Sequence, residues 1–153
     1  MAINPNTDFS SGAVLTAAQQ NRVPRGVMAY TTNTATNAAV TAEATQITGS
    51  SFTAVANRYY RITYYEPNLI STASTGFALK IRQTNLAGTV LNAGAVVNAN
   101  LFLGTGALCI AVSTFTAGSV NVVGTLQNLA GTGTATRSAT GYAFLLVEDI
   151  GPS

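Results

Sequence analysis

Large apolar residues alternate with polar residues in two stretches of the chain. The run YYRITYY at residues 59–65 places Tyr60, Ile62 and Tyr64 on one face and its other residues on the opposite face. The run FALKIR at residues 77–82 alternates in the same way. Because successive side chains of a β-strand point to opposite faces, this period of two predicts strands with one buried side and one polar side.

Short strand patterns separated by turns continue from residue 26 to the C-terminus, and turn residues recur roughly every 10 to 15 positions. Strands are predicted at residues 27–31, 45–48, 51–55, 59–65, 77–83, 89–90 with 98–101, 108–115, 119–126 and 141–148. Two segments rich in Thr, Ala and Asn, residues 31–44 and 132–140, are predicted to be loops. Together these features predict an all-β fold, an antiparallel β-sandwich of the jelly-roll type.

The N-terminal part of the chain lacks the strand pattern. Residues 1–11 (MAINPNTDFSS) show no periodicity, whereas residues 12–22 (GAVLTAAQQNR) contain the helix-forming residues Ala, Leu and Gln. A helix there must be short, because Pro24 disfavours helical geometry in the residue before it. We therefore expect an extended N-terminal arm of residues 1–25 that carries a short helix, followed by a β-sandwich domain of residues 26–153.

Charged residues are scarce. They make up 8% of the 153 residues, with a net charge of +2, whereas about a quarter of an average soluble domain is charged. Because monomers normally stay soluble by displaying interspersed charge, this composition favours an oligomer whose subunits cover one another. The cations form no basic run, so nucleic-acid binding is not predicted. Neither a membrane span nor an export signal is predicted from the apolar stretches.

Side chains that carry catalysis or bind metals are few. The chain has no histidine, which removes the commonest general base and most zinc sites. Among its five carboxylates only Glu148 and Asp149 are adjacent, and we interpret them as a solvated strand end. Cys109, within the apolar run at residues 108–112, is predicted to be a buried hydrophobic residue. We expect a non-enzymatic protein without catalytic residues, cofactor or metal site.

Two arginine pairs and the tyrosine-rich strand are the candidates for contacts with another molecule. Tyr60 and Tyr64 are predicted to pack in the core, which leaves the outward tyrosines for a subunit contact. Arginine forms paired hydrogen bonds with carboxylates, and Glu66, Glu148 and Asp149 are possible partners in the same or another chain. Solvated arginines on a strand edge are the alternative. The candidate contact residues are Arg22, Pro24, Arg25, Arg58, Tyr59, Arg61 and Tyr65.

Three segments in order carry a resemblance to a known group of proteins. They are LTAAQQNRVPRGVMAY at residues 15–30, SFTAVANRYYRITYY at 51–65 and ATGYAFLLVEDIGPS at 139–153. From about residue 12 to the end, the chain resembles small virion proteins of tailed bacteriophages and the C-terminal regions of some phage minor tail proteins. The resemblance implies a structural component of the virion, assembled in the host cytoplasm, with a jelly-roll-like sandwich, a homo-oligomeric state and no catalytic residues.

The position in the particle is left open by this resemblance. Because the chain lacks the coiled-coil shaft of the fused tail versions, we expect a capsid decoration or cement protein. Its sandwich bodies would form a homotrimer, and its arm would bind the major capsid protein. The alternative is a tail or fibre head domain that binds host-surface carbohydrate through its loops or through Tyr59 and Tyr65, since tyrosine rings stack on sugar rings. A hydrolase of cell-wall polymer is a third possibility.

Overall fold

The computed structural model describes residues 12, 14, 16–73, 75–98 and 104–153. In these residues a four-residue helix, α1 (Ala17–Gln20), is followed by twelve strands that pair only in antiparallel fashion. The strands are β1 (Gly26–Asn33), β2 (Asn37–Val40), β3 (Ala44–Thr48), β4 (Phe52–Ala54), β5 (Arg58–Ser71), β6 (Thr75–Gln83), β7 (Val90–Asn98), β8 (Thr105–Thr114), β9 (Gly118–Val120), β10 (Val122–Asn128), β11 (Gly133–Ala135) and β12 (Ala143–Pro152).

The strands form an antiparallel β-sandwich of the jelly-roll type, so the predicted fold is confirmed. One sheet has six strands: β1, β12, β5, β11 and β2 follow one another, and β8 pairs with β5. The second sheet has four strands in the order β3-β10-β6-β7, and β4 and β9 form a separate two-stranded sheet. Two packed sheets of this kind bury the apolar side of each strand between them.

Strand β5 is the centre of the six-stranded sheet. Its side chains alternate as predicted, and Tyr60, Ile62 and Tyr64 are completely buried. The strand runs six residues beyond the predicted end at Tyr65, because a β-bulge beside Pro67 lets pairing resume after the proline. Strands β12 and β11 pair with successive parts of one edge of β5, and β8 pairs with the other edge.

The core between the sheets depends on a close approach at Gly124. This residue lies on β10, opposite the ring of Tyr64, and an added Cβ atom would sit 2.7 Å from Cδ2 of that ring. Val122 and Leu126 on the same strand are completely buried. A glycine at this position therefore makes room for an aromatic side chain of the facing sheet.

Both segments that were predicted to be loops contain a strand. Strand β2 lies within residues 31–44 and β11 within residues 132–140, and the two strands pair with each other. Val40 and Ala135 supply their buried side chains. Small and β-branched residues therefore form strands here, because a neighbouring strand supplies the pairing. The single strand predicted at 119–126 is two strands, β9 and β10.

The predicted short helix is present as α1. The Thr16 hydroxyl accepts a hydrogen bond from the Gln19 amide at 3.2 Å, and the Gln19 side chain accepts one from the Thr16 amide at 2.9 Å. This reciprocal capping box fixes the start of the helix. Predicted strand residues 99–101 and arm residues 1–11 lie outside the described residues, and the division at residue 25 stays a prediction. Among the described residues, no helix is long and apolar enough to span a membrane.

Candidate self-association surface

The outer side of the six-stranded sheet is unusually apolar. The strand register places Phe144, Tyr65 and Leu108 in one row across β12, β5 and β8, and Leu146, Thr63 and Ile110 in the next. We call this surface the apolar face. Its apolar members are Tyr30, Tyr65, Leu108, Ile110, Val112, Phe144 and Leu146.

Large side chains on the apolar face remain exposed. Leu108 is 57% exposed, Ile110 42%, Val112 56% and Tyr30 50%. Four strands spaced about 4.8 Å apart, over a length of about 20 Å, give this face an area of roughly 400 Å². That is the size of the largest apolar patch on a typical monomer, and such patches often mark binding sites.

The charges on the apolar face neutralise each other. Arg61 on β5 donates two hydrogen bonds from Nε and Nη2 to Oε2 of Glu148 on β12, at 2.9 and 2.8 Å. The Arg61 side chain is 49% exposed. The carboxylate partner predicted for this arginine is therefore in the same chain, and the face has no net charge from these groups.

Arg58, predicted as a contact residue, is instead buried inside the chain. Its Nε and Nη2 atoms lie 2.5 and 2.7 Å from the carboxylate oxygens of Asp149, which raises the pKa of the guanidinium. Its Nη1 and Nη2 atoms also donate to the carbonyl oxygens of Asn21 and Val23. The prediction of a solvated strand end is wrong for Asp149, because β12 continues past it to Pro152.

The other predicted contact residues lie at one end of the sandwich. Arg22, Pro24 and Arg25 are exposed, and neither arginine forms an ion pair with a carboxylate in the part of the chain that the structure describes. Tyr59 is half-buried at the same end of β5 and lies opposite Thr114 of β8. These four residues are therefore well separated from Tyr65, which is six residues further along the strand.

Tyr65 lies in an aromatic group at the opposite end of the apolar face. Its ring centroid is 5.2 Å from that of Phe144, and the Phe144 centroid is 6.0 Å from that of Tyr30. The three rings come from β5, β12 and β1, which are neighbours in the sheet. With Tyr142 and Pro67 they line a pocket of about 250 Å³.

A buried polar network that no sequence pattern predicted lies beneath β5. Arg137 donates to both carboxylate oxygens of Glu66 at 2.9 and 2.7 Å, and the Tyr64 hydroxyl donates to the same carboxylate. Arg137 also donates to Oε1 of Gln46 at 2.9 Å and to the Ala35 carbonyl at 2.8 Å. Glu66 is thus occupied within the chain. Arg137 lies in residues 132–140, which are predicted to be a loop, and no local pattern there indicates a buried ion pair.

A second charged cluster lies on the four-stranded sheet. Glu43 accepts hydrogen bonds from Lys80 at 2.6 Å, from Arg82 at 2.7 and 2.9 Å, and from the Thr125 hydroxyl at 2.7 Å. The hydrogen bonds from Arg82 lower the pKa of Glu43 to about 2, although desolvation opposes this shift. All four described carboxylates, those of Glu43, Glu66, Glu148 and Asp149, are therefore paired with a cation.

Groups that support metal or thiol chemistry are sparse in the described residues. No cluster of three or more His, Cys, Asp or Glu side chains occurs among them. Cys109 is buried on the inner side of β8, as predicted, and burial raises the pKa of its thiol. A raised pKa keeps the sulfur protonated, which lowers its reactivity.

Comparisons with known proteins yield similar architectures at low identity. No protein-family model matches the chain, and no curated protein matches it. A tumour-necrosis-factor protein, Eiger of S. frugiperda, is 11% identical with a TM-score of 0.47, covering 84% of this chain and 96% of its own. A carbohydrate-binding module of Cellvibrio mixtus lichenase 5A, solved with cellotriose, is 14% identical, with a TM-score of 0.38 and coverages of 85% and 92%.

A viral particle also has a similar architecture. The structure of infectious bursal disease virus, Gx strain, is 16% identical with a TM-score of 0.36, and the match covers 85% of this chain and 42% of the viral chain. At these identities and TM-scores, none of the three matches determines what this chain does.

Proposed function

We propose that this protein is a non-enzymatic structural subunit of a bacteriophage virion, and that it works as a homo-oligomer, a trimer in the simplest case. Its most specific role is that of a capsid decoration or cement protein, assembled in the host cytoplasm. The observation that carries the proposal is the β8 part of the apolar face, where Leu108, Ile110 and Val112 are exposed and the nearby charges of Arg61 and Glu148 are paired. The resemblance of three sequence segments to phage virion proteins supports the viral setting.

Association through the face is favoured over association through the sheet edge. Strand β8 is an edge strand of the six-stranded sheet. The carbonyl oxygen of its Ile110 already accepts a hydrogen bond from the Asn92 side chain at 2.5 Å. An edge that is partly occupied is a poor template for a further strand. Burying Leu108, Ile110 and Val112 against another copy, by contrast, removes apolar surface from water at about 25 cal/mol per Å².

Contact with the capsid shell would involve the N-terminal end of the sandwich. Arg22 and Arg25 are exposed there and form no ion pair among the described residues, whereas the other five cations are all paired. Two arginines in such positions suit carboxylates on a different protein. A partner with acidic side chains, such as a major capsid protein, would satisfy both, with residues 1–15 adding further contacts.

Self-association can be tested with one charged substitution and a matched control. Ile110→Glu places a carboxylate in the middle of the apolar face, whereas Leu86→Glu makes the same change in the β6–β7 turn at nearly equal exposure, 42% against 41%. We expect sedimentation velocity to show oligomers for the unaltered protein and for Leu86→Glu. Ile110→Glu should raise the dissociation constant about 100-fold or more, since burying an unpaired carboxylate costs several kcal/mol. A monomeric unaltered protein would contradict the proposal.

Shell binding can be tested with a truncation that spares the fold. A chain without residues 1–15 keeps both carbonyl groups that accept hydrogen bonds from Arg58, those of Asn21 and Val23. A chain without residues 1–22 loses the Asn21 carbonyl. Chains without residues 1–15, and chains with Arg22→Ala and Arg25→Ala together, should remain oligomeric but bind purified phage capsids more weakly. Undiminished decoration of capsids by both variants would contradict the decoration role.

A tail or fibre head domain that binds host-surface carbohydrate is the second candidate function. The aromatic pocket at the end of the apolar face favours it, because sugar sites combine ring faces with a few polar groups. The number of copies per particle separates the two roles. Hundreds of copies would support decoration, and a few to a few dozen would support the tail.

A further inference from the structure

The aromatic pocket has the lining of a small-molecule site. Tyr30, Tyr65 and Phe144 come from three neighbouring strands, and Pro67 and Tyr142 also line the pocket. The volume of about 250 Å³ is close to the lower limit for ligand pockets, about 300 Å³, which suits a ligand of one ring better than an extended chain.

The rings are arranged so that part of their surface stays open. Tyr30 is 50% exposed, and Tyr65, Tyr142 and Phe144 are only partly buried. The ring planes of Tyr65 and Phe144 are inclined by 32°, and those of Tyr30 and Phe144 by 41°. Because these neighbouring rings are close together and only moderately inclined, a flat apolar ligand face can contact more than one of them.

Hydroxyl groups surround this apolar wall. The neighbouring Tyr142 phenol raises the pKa of Tyr30, so these two phenol groups lie near each other. The Tyr65 hydroxyl lies beside Gly106, where an added Cβ atom would be 3.5 Å from the hydroxyl oxygen. The pocket thus offers phenol groups that can both donate and accept hydrogen bonds.

The pocket is electrically neutral. None of the described residues that line it carries a charge. A charged sugar or a phosphorylated ligand would therefore lose its hydration without gaining an ion pair. A ligand with one apolar face and several uncharged hydroxyl groups fits the lining best.

We propose that this pocket binds one neutral hexopyranose unit of a polysaccharide, with the C–H face of the sugar against Tyr30, Phe144 and Tyr65. The Tyr142 and Tyr65 hydroxyls bind its hydroxyl groups. This site deepens the second candidate function and takes its biological setting from it. It also revises the sequence-based prediction, because Tyr65 belongs to the site while Tyr59, near the start of β5, does not.

Binding can be measured with simple glycosides and matched tyrosine variants. The probes are the methyl glycosides of glucose, galactose and mannose, with sialic acid as the charged comparison, titrated into the purified protein by NMR chemical-shift perturbation. Tyr30→Ala and Tyr142→Ala should each weaken binding of the preferred neutral glycoside about tenfold or more, since each removes a stacking ring or a hydrogen-bonding group. Tyr142→Phe should weaken binding about as much as Tyr142→Ala, because both remove the hydroxyl that binds the sugar.

Tyr59→Ala is the control, since it also removes a partly exposed tyrosine side chain, but one on β5 outside the pocket. It should bind the glycoside like the unaltered protein. Ile110→Glu should also bind normally even as a monomer, which separates failure of the sugar site from failure of self-association. Absence of saturable binding by all three neutral glycosides, preference for sialic acid, or equal loss in Tyr59→Ala would overturn the proposal.

Discussion

Replacing Arg137 by methionine should destabilise the protein strongly, because it would leave Glu66 charged in the core. Both side chains are almost fully buried, 1% and 0% exposed, and two hydrogen bonds join them. Removing one partner of a buried ion pair costs about 3–5 kcal/mol. A domain of this size is stable by about 5–15 kcal/mol in total, so the loss is a large fraction. Methionine replaces the aliphatic stem of the arginine side chain, which limits the cavity.

Urea unfolding at neutral pH and fixed protein concentration measures this loss, with Arg61→Met as the control. Arg61 also binds a carboxylate through two hydrogen bonds, but its side chain is 49% exposed, so its removal should cost about 1 kcal/mol or less. Adding Glu66→Gln to Arg137→Met should recover part of the stability, because it removes the unpaired charge. If Arg137→Met lowers the free energy of unfolding no more than Arg61→Met does, the buried ion pair does not stabilise the fold as proposed.

Two further predictions concern the facing sheet. Glu43 has a pKa of about 2 in the folded protein, below its ordinary 4.5, so its stabilisation is complete above pH 4.5 and is lost as pH falls towards 2. Urea unfolding should be measured at several pH values between 4.5 and 2. Over this range the free energy of unfolding of Glu43→Gln should fall by up to about 3 kcal/mol less than that of the unaltered protein. An equal fall in both proteins would contradict this. Gly124→Ala should lower the Tm by about 2–10 °C, since its Cβ would meet Tyr64 and Ile47, whereas Gly94→Ala, with open space around it, should not.

The fold class followed from the sequence because a period of two is a local property. Tyr60, Ile62 and Tyr64 alternate with polar residues whatever their partners are, and the structure buries all three. The strands β2 and β11 could not be predicted in the same way, because their short, small-residue runs have no such pattern. They are strands because each pairs with the other and β11 also pairs with β5.

The surface was harder to predict than the fold. An exposed arginine and a buried one look alike in sequence, so Arg58 was expected at a contact and is instead held by Asp149 and two carbonyl groups. The aromatic pocket joins Tyr30 and Phe144, which are 114 residues apart in the chain and meet because β1 pairs with β12. Only the strand order brings such residues together, and no local pattern reveals it.

Arg58 binds the carbonyl groups of Asn21 and Val23, so the N-terminal segment is held at one end of the sandwich and the two ends differ. The same end of the body holds Pro152, which pairs with Arg58, whereas the aromatic pocket is near Tyr65, seven residues and about 23 Å away along β5. If the residues that precede α1 hold the body to a shell, this end faces the shell and the pocket faces the medium. A subunit attached in this manner would display a sugar site outward from every copy, and the assembly would gain many weak contacts with a cell surface at once.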